Sequence, residues 1–442
     1  MGRPAELAIK GAHIFYRGEL LKGCICISDG IITYIGKEAR APRAQEAVDA
    51  RGLLALPGPI DVHVHLRDEG LSYKEDFYTG TSSAIAGGIT CVLDMPNTLP
   101  PVDSAKRLRE RARKAAKSIV ANVGFYSLFP PDPSGLAELA EAGAVGIKVY
   151  FHEPKTALDV WDERALRSAV ELANGHGLTV AIHAEDLVLM RELAREAHGG
   201  PVEAFLAQHP PEVEVRALEK LSRALAGLKV HICHVSTPEG LRLAREAGFT
   251  VEVTPHHLFL TSDLYDRLGP LALVDPPLRP RELVEKLRRA FYSGLVDVVA
   301  SDHAPHALKE KEGPNPPPGF PGLETLLPVL LNEVCEKRLS LSELVRVVCE
   351  GPARIFGLRR GHLEVGWPAD LVLVDLKAKV VVRPESFRSK AKYSPFVGMA
   401  FRGAPVHTIV NGVLAFSEGE VVAEPGCGSI IRPAGAGRSG QP

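Results

Sequence analysis

The chain has 442 residues, 45% of them hydrophobic, and a net charge of −2. That length exceeds one ordinary compact domain but fits a barrel of about 250 residues with an attached module. Basic and acidic residues are intermixed, which argues against nucleic acid as a partner; no apolar run reaches the ~18 residues a membrane span needs; and the opening MGRPAELAIKGAHIF lacks the apolar core and cleavage site of a secretory signal.

Residues 1–56 alternate short strand-like runs (LAIKGAHIF, CICISDG, IITYIGK) with turns, the signature of antiparallel strands. Cys24-Ile25-Cys26 has the wrong spacing for a zinc knuckle and reads as small core residues. With Cys91, Cys233, Cys335, Cys349 and Cys427 these make seven scattered cysteines, as expected for reduced thiols in a cytoplasmic protein.

From residue 57 to 357 the pattern changes. Eight apolar runs without strict alternation (PIDVHVHL, TCVLDMPN, VANVGFYSL, AVGIKVYF, LTVAIHAED, KVHICHVST, FTVEVTPHH and VDVVASDHAPH) are separated by helical stretches such as SAKRLRERARKAAKS and RELVEKLRRAFYSG. Buried strands alternating with amphipathic helices predict a mixed α/β fold, a parallel (β/α)₈ barrel of the TIM type. Residues 358–426 return to the strand-and-turn style and are expected to join 1–56 in a small β-sandwich module. The Gly-, Pro- and Ser-rich remainder, 427–442, reads as a flexible tail.

Polar residues gather at the C-terminal ends of these runs: His63 and His65, Asn97, Lys148, His183, His234, His256 and His257, and Asp302. Barrels of this type build active sites at that mouth. In DVHVHLRD, the residues His63, His65 and Arg67 share one face if the extended conformation persists. Imidazoles and a carboxylate from several strand ends suit a catalytic zinc site. Cys233 would alternate to the opposite face and is left out. Lys148 in GIKVY is the unexpected member, because a cation repels metal. A lysine taken into an apolar interior can act as a neutral amine, and with carbon dioxide it would form a carbamate able to bridge two metals. Two divalent ions would then retain a small positive excess over carbamate, Asp302 and a bridging hydroxide, which suits an anionic substrate.

The ordered set DVHVHLRD, LDMPNT, GIKVY, AIHAED, CHVST, TPHHL, PPLR, SDHAPH and PGLET, spanning about residues 55 to 325, resembles the dihydroorotases of the amidohydrolase superfamily. The resemblance implies reversible cyclisation of N-carbamoyl-L-aspartate to L-dihydroorotate in pyrimidine synthesis. It implies two zinc ions: His63, His65, carbamylated Lys148 and Asp302 on one, and Lys148, His183 and His234 on the other. His231 is then a packing or supporting residue. Asp302 would be the catalytic acid and base, passing a proton from hydroxide to the leaving ring nitrogen. Arg67, Asn97 and His306 would bind the substrate carboxylate, with His65, Asp275 and the backbone of Pro321 and Gly322 completing the pocket. Two departures stand out. The family usually has asparagine where this chain has Asp275, and many bacterial members with the similar HLR motif have aspartate where this chain has Lys148.

The Pro- and Gly-rich stretch 307–320 is long for a turn and reads as a lid or surface loop at the barrel mouth. Hydantoinase or allantoinase chemistry is the nearest alternative, and a non-catalytic scaffold for a transcarbamoylase the more distant one. A homodimer and an association with aspartate transcarbamoylase both stay open.

Overall fold

The computed structural model describes residues 4–434, with 154 and 157 left out. Five strands open the chain: β1 (Ala5–Tyr16), β2 (Glu19–Ser28), β3 (Ile31–Gly36), β4 (Ala44–Asp49) and β5 (Leu54–Pro57). Arg17-Gly18 and Asp29-Gly30 take positive φ at both positions, the geometry of tight turns between twisted antiparallel strands.

Eight short strands follow: β6 (Ile60–Val64), β7 (Cys91–Asp94), β8 (Asn122–Ser127), β9 (Gly146–Tyr150), β10 (Thr179–His183), β11 (Val230–Ile232), β12 (Thr250–Val253) and β13 (Val298–Val299). They pair in chain order, every pair parallel. The ring closes where Val64 bridges His303 and the His65 N–H donates to the His303 carbonyl at 2.8 Å. Several of the helices between strands begin at polar caps: Ser104 accepts from Arg107 N, Asp162 from Ala165 N and Thr237 from Gly240 N.

Alternation along the barrel strands sorts two apolar sets. Val92, Val123, Ile147, Val180 and Val251 pack outward with the helices. Cys91, Leu93, Tyr126, Ala181 and Val298 form a separate cluster with Phe356 and Ile431. Lys148 lies between Ile147 and Val149, so it shares the inward face, and so do His183 and Glu252.

Four strands end the fold: β14 (Leu371–Val381), β15 (Ala400–Val410), β16 (Val413–Ser417) and β17 (Glu420–Val421). β5 pairs parallel with β1 and antiparallel with β14, which joins the two ends of the chain in one nine-stranded sheet. Asn122 of β8 donates to Asp370 at 3.1 Å and accepts from Asn411 at 2.8 Å, tying this sheet to the barrel.

The loose tail expected from residue 427 is a correction. The Val123 N–H donates to Ser429 O and the Ile431 N–H to Val123 O, both at 2.9 Å, while Ile431 is buried in the inward cluster. Composition suggested freedom, but Ile430 and Ile431 supply a strand-like hook against β8. The rest of that stretch, 435–442, lies outside the described residues.

Candidate active site

At the C-terminal end of the barrel is a cavity of about 370 Å³ lined by His63, His65, Arg67, Asn97, Lys148, Tyr150, His152, His183, His234, Asp275, Asp302 and His306, among others. The sequence-predicted residues converge, but not by simple alternation. β6 ends at Val64, and Arg67 reaches the cavity through a left-handed backbone (φ 55°). His234 (φ 34°) and Asp302 (φ 46°) are also left-handed, a costly conformation for non-glycine residues that concentrates at functional sites.

The imidazoles are held in defined orientations. His63 Nδ1 faces Glu252 Oε1 at 2.9 Å, His65 Nδ1 faces Asn97 Oδ1 at 2.8 Å, and His183 Nε2 faces Glu185 Oε2 at 2.7 Å. Each partner is an acceptor, so each facing nitrogen carries the proton and the other nitrogen keeps its lone pair. The free Nε2 atoms of His63 and His65 lie 3.5 and 3.4 Å from Asp302 Oδ1. His234 Nδ1 is buried without a hydrogen-bond partner.

Burial pushes His63, His65 and His234 below the ordinary histidine range and His183 down to about 3, so all four favour the neutral, metal-binding form. Burial raises the Asp302 carboxyl to about 6 against the pull of His63. The ligand atoms of His63, His65 and Asp302 lie within 4.8 Å of one another, as do those of His152, His183 and Asp275. Imidazoles with free lone pairs around a carboxylate, plus an orphaned imidazole nitrogen, fit a divalent metal such as zinc.

Lys148 is fully buried, with Nζ 3.0 Å from Cys233 Sγ. That contact corrects the exclusion of Cys233: β11 ends at Ile232, and the left-handed His234 breaks the alternation used to turn the thiol away. His231 stands behind the site, with Nε2 3.3 Å from Glu252 Oε2 and Nδ1 3.0 Å from Thr250 Oγ1. His256 and His257 open the helix Pro255–Phe259 and are not part of the cavity wall. His257 Nε2 instead faces the Pro276 carbonyl at 2.9 Å, which fixes the segment carrying Asp275.

On the other side, Arg67 Nη2 meets His306 Nε2 at 3.1 Å and Arg67 Nε donates to Pro305 O at 3.2 Å. Among the described residues no carboxylate pairs with this buried guanidinium. Pro321 and Gly322 do not line the cavity. The Gly322 N–H donates to His303 Nδ1 at 3.2 Å, and Pro317, Pro318 and Gly319 form the wall instead. This part of the 307–320 stretch is pinned by Lys311, whose buried ammonium donates to the carbonyls of Leu273, Pro317 and Gly319.

Sequence reasoning missed the supporting acids. Glu252 sits in the middle of TVEV and Glu185 in HAED, both fully buried. A glutamate inside an apolar strand was the available signal. Asp94 and Arg111 form another buried pair, from Arg111 Nη2 to Asp94 Oδ2 at 2.7 Å, and Arg111 Nη2 also donates to Arg67 O at 3.0 Å.

The model of the amidohydrolase family matches residues 54–415. The chain is 34% identical to a dihydroorotase of Methanosarcina acetivorans, over 97% of this chain and 96% of that one. It is 38% identical to a dihydroorotase of Methanothermobacter thermautotrophicus, over 90% and 92%. Among solved structures, an L-hydantoinase (dihydropyrimidinase) from Arthrobacter aurescens superposes with a TM-score of 0.91 at 31% identity, covering 97% of this chain and all of that one. Among the described residues no helix is long and apolar enough to cross a membrane.

Proposed function

The chain belongs to the amidohydrolase family, and from that premise we propose that it is a cytoplasmic dihydroorotase, interconverting N-carbamoyl-L-aspartate and L-dihydroorotate through one cyclic amide bond. The observation that carries this reading is Arg67. A buried guanidinium at a cavity wall, paired with no protein carboxylate, is costly unless a ligand anion completes it. Dihydroorotate has a non-reacting carboxylate that a guanidinium binds through paired hydrogen bonds. Burial and the Arg67 charge hold His306 well below the ordinary histidine range, so its ring is neutral, with Nδ1 accepting from Lys74 Nζ at 3.0 Å and Nε2 donating to the Pro318 carbonyl at 3.0 Å.

The proposed metal sites follow from the donors. His63, His65 and Asp302 would hold one zinc and His183 and His234 the other, with Lys148, as a carbamate, contributing to both. Zinc held there would supply hydroxide near neutral pH and polarise the amide carbonyl. Asp302 takes a proton and returns it to the ring nitrogen as the amide opens. In the biosynthetic direction it runs the same transfer backward. Asn97 keeps the His65 lone pair aimed at Asp302, and Glu252 does the same for His63.

The similarity to L-hydantoinase favours a second reading, in which the ring is a hydantoin. Hydantoin has no matching carboxylate, so the two separate cleanly. The test is release of N-carbamoyl-L-aspartate from L-dihydroorotate, with zinc and bicarbonate, by wild type and Arg67→Ala. Loss of about 100-fold or more in kcat/KM on dihydroorotate, with little change on hydantoin, is expected when a buried charge-assisted contact to substrate is removed. A fully metallated wild type that turns over hydantoin and not dihydroorotate overturns the assignment.

A further inference from the structure

Two donors and one acceptor crowd the ring of His306. Lys74 Nζ lies 3.0 Å from Nδ1, Arg67 Nη2 lies 3.1 Å from Nε2, and the Pro318 carbonyl lies 3.0 Å from the same Nε2. An ammonium on one side and a guanidinium on the other keep the ring neutral. A neutral imidazole has one N–H and one lone pair, so it cannot serve all three partners. With the proton on Nε2, Lys74 finds a lone pair and the Pro318 carbonyl finds a donor. With the proton on Nδ1, the ammonium faces an N–H, the carbonyl loses its donor, and only the guanidinium is satisfied. The first arrangement serves two partners and the second serves one.

Lys74 is itself held in place. It lies on the same segment as Arg67, its side chain is only 11% exposed, and its ammonium pairs with Glu310 Oε1 at 2.9 Å. Glu310, in the helix Leu308–Lys311, is fixed in turn. Tyr73 Oη donates to its Oε1 at 3.0 Å and the Ala307 N–H to its Oε2 at 3.0 Å. Lys74 is not part of the cavity wall, so it reaches the substrate site only through His306. Without its ammonium, Nδ1 would face Glu310 Oε2, 3.9 Å away, and that carboxylate would draw the ring proton to Nδ1.

We propose that Lys74 is a positioning residue that fixes the His306 proton on Nε2 and so keeps the Arg67 guanidinium open for the substrate carboxylate. This role rests on the reading of the cavity as a dihydroorotate pocket. Arg67 Nε donates to Pro305 O at 3.2 Å, and with Nε2 protonated no acceptor among the described residues remains for either Nη atom. Both are then left to grip a carboxylate. With the proton on Nδ1 instead, the lone pair of Nε2 would hold Nη2, and a substrate anion would have to displace it. Lys74 thus acts on affinity and not on the reacting groups.

The test compares wild type, Lys74→Met, Lys74→Arg, His306→Phe and the Lys74→Met, His306→Phe double variant, all supplied with zinc and bicarbonate. Nitrogen NMR of labelled histidine, without substrate, reads the tautomer, with the His306 signals assigned by their loss in His306→Phe. Wild type and Lys74→Arg are expected to carry the proton on Nε2, and Lys74→Met on Nδ1. In steady-state kinetics on L-dihydroorotate, Lys74→Met is expected to raise KM about tenfold with kcat within about threefold, and Lys74→Arg to keep KM within about threefold of wild type. In the His306→Phe background the same Lys74→Met change should alter KM less than about twofold, because the group it acts through is gone. A wild-type proton on Nδ1, or a Lys74→Met proton still on Nε2, overturns the proposal. So does a tenfold rise in KM that persists without His306, which would make Lys74 a direct electrostatic partner of the substrate. If Lys74→Met gives no soluble protein, the wild-type and Lys74→Arg tautomers decide, and a proton on Nδ1 in either overturns it. A wild type inactive on dihydroorotate overturns the functional reading instead, and the tautomers still decide whether Lys74 sets the ring.

Discussion

Glu252 Oε1 lies 2.9 Å from His63 Nδ1, and the same oxygen accepts the backbone N–H of His234 at 2.9 Å. One carboxylate from the middle of β12 thus orients a candidate ligand on β6 and fixes the left-handed turn that presents another after β11. Burial would raise this carboxyl, but His63 and His231 hold it well below the ordinary range, so it stays an acceptor. Glu252→Gln keeps the shape and removes the charge. Zinc affinity, read by chelator competition, is expected to fall about 10- to 100-fold, as it does when groups that orient metal-bound histidines are lost. Unchanged affinity would mean that His63 needs no such support.

Lys148 is the hinge of the proposed metal pair. Intact mass after bicarbonate and zinc is expected to show the addition of one carbon dioxide, absent in Lys148→Ala. Stripping metal with a chelator should abolish turnover, and zinc with bicarbonate should restore it. The apo protein should also melt lower, because a ligand bound only by the native state adds RT ln(1 + [L]/Kd) to stability. Full activity and two bound zinc ions in Lys148→Ala would sink the carbamate bridge.

The barrel was legible because its eight runs are apolar throughout, which parallel strands covered on both faces require. Lys148 and His183 were legible for the same reason: a polar residue inside such a run needs a purpose. The failures occurred where regular geometry stops. His234 and Arg67 are placed by left-handed backbone at their own positions, which period-two reasoning cannot foresee, and Cys233 faces inward because it keeps the alternation that His234 leaves. Arg111 shares the buried helix face with Ala105, Leu108 and Ala115, but its partner Asp94 lies on another element, and only the fold brings the two together.

Arg111 gives a prediction about the loop that carries Arg67. Its guanidinium binds Asp94 through Nε at 2.9 Å and Nη2 at 2.7 Å, reaches Glu69 Oε2 at 3.0 Å, and lies 4.5 Å from the centre of the Phe77 ring. Arg111→Leu strands the buried Asp94 carboxylate, which should cost about 3–5 kcal/mol of stability in denaturant unfolding. With the Arg67 carbonyl also released, KM for dihydroorotate should rise more than kcat falls. Adding Asp94→Asn should recover part of the stability, and failure to recover any would show that Arg111 acts through something other than this pair.

Glu324, in the first turn of the helix Leu323–Cys335, gives a pH dependence remote from the metal ligands. Burial pushes its carboxyl up to about 7, against hydrogen bonds to its Oε1 from Ser83 Oγ and the backbone N–H groups of Arg388 and Ser389. The native carboxyl therefore binds its proton more tightly than the unfolded one. Stability from this group is complete at pH values below the ordinary glutamate range, falls as pH climbs toward about 7, and stays low above that. Glu324→Gln keeps the accepting oxygen for all three donors and cannot ionise. The variant should melt higher than wild type at pH 8, with a gap that closes toward pH ~4.5. The full shift corresponds to about 3 kcal/mol, an upper bound because the side chain is only partly screened from solvent. A gap that is constant across that range, or that widens at low pH, would mean Glu324 is ionised in the native protein.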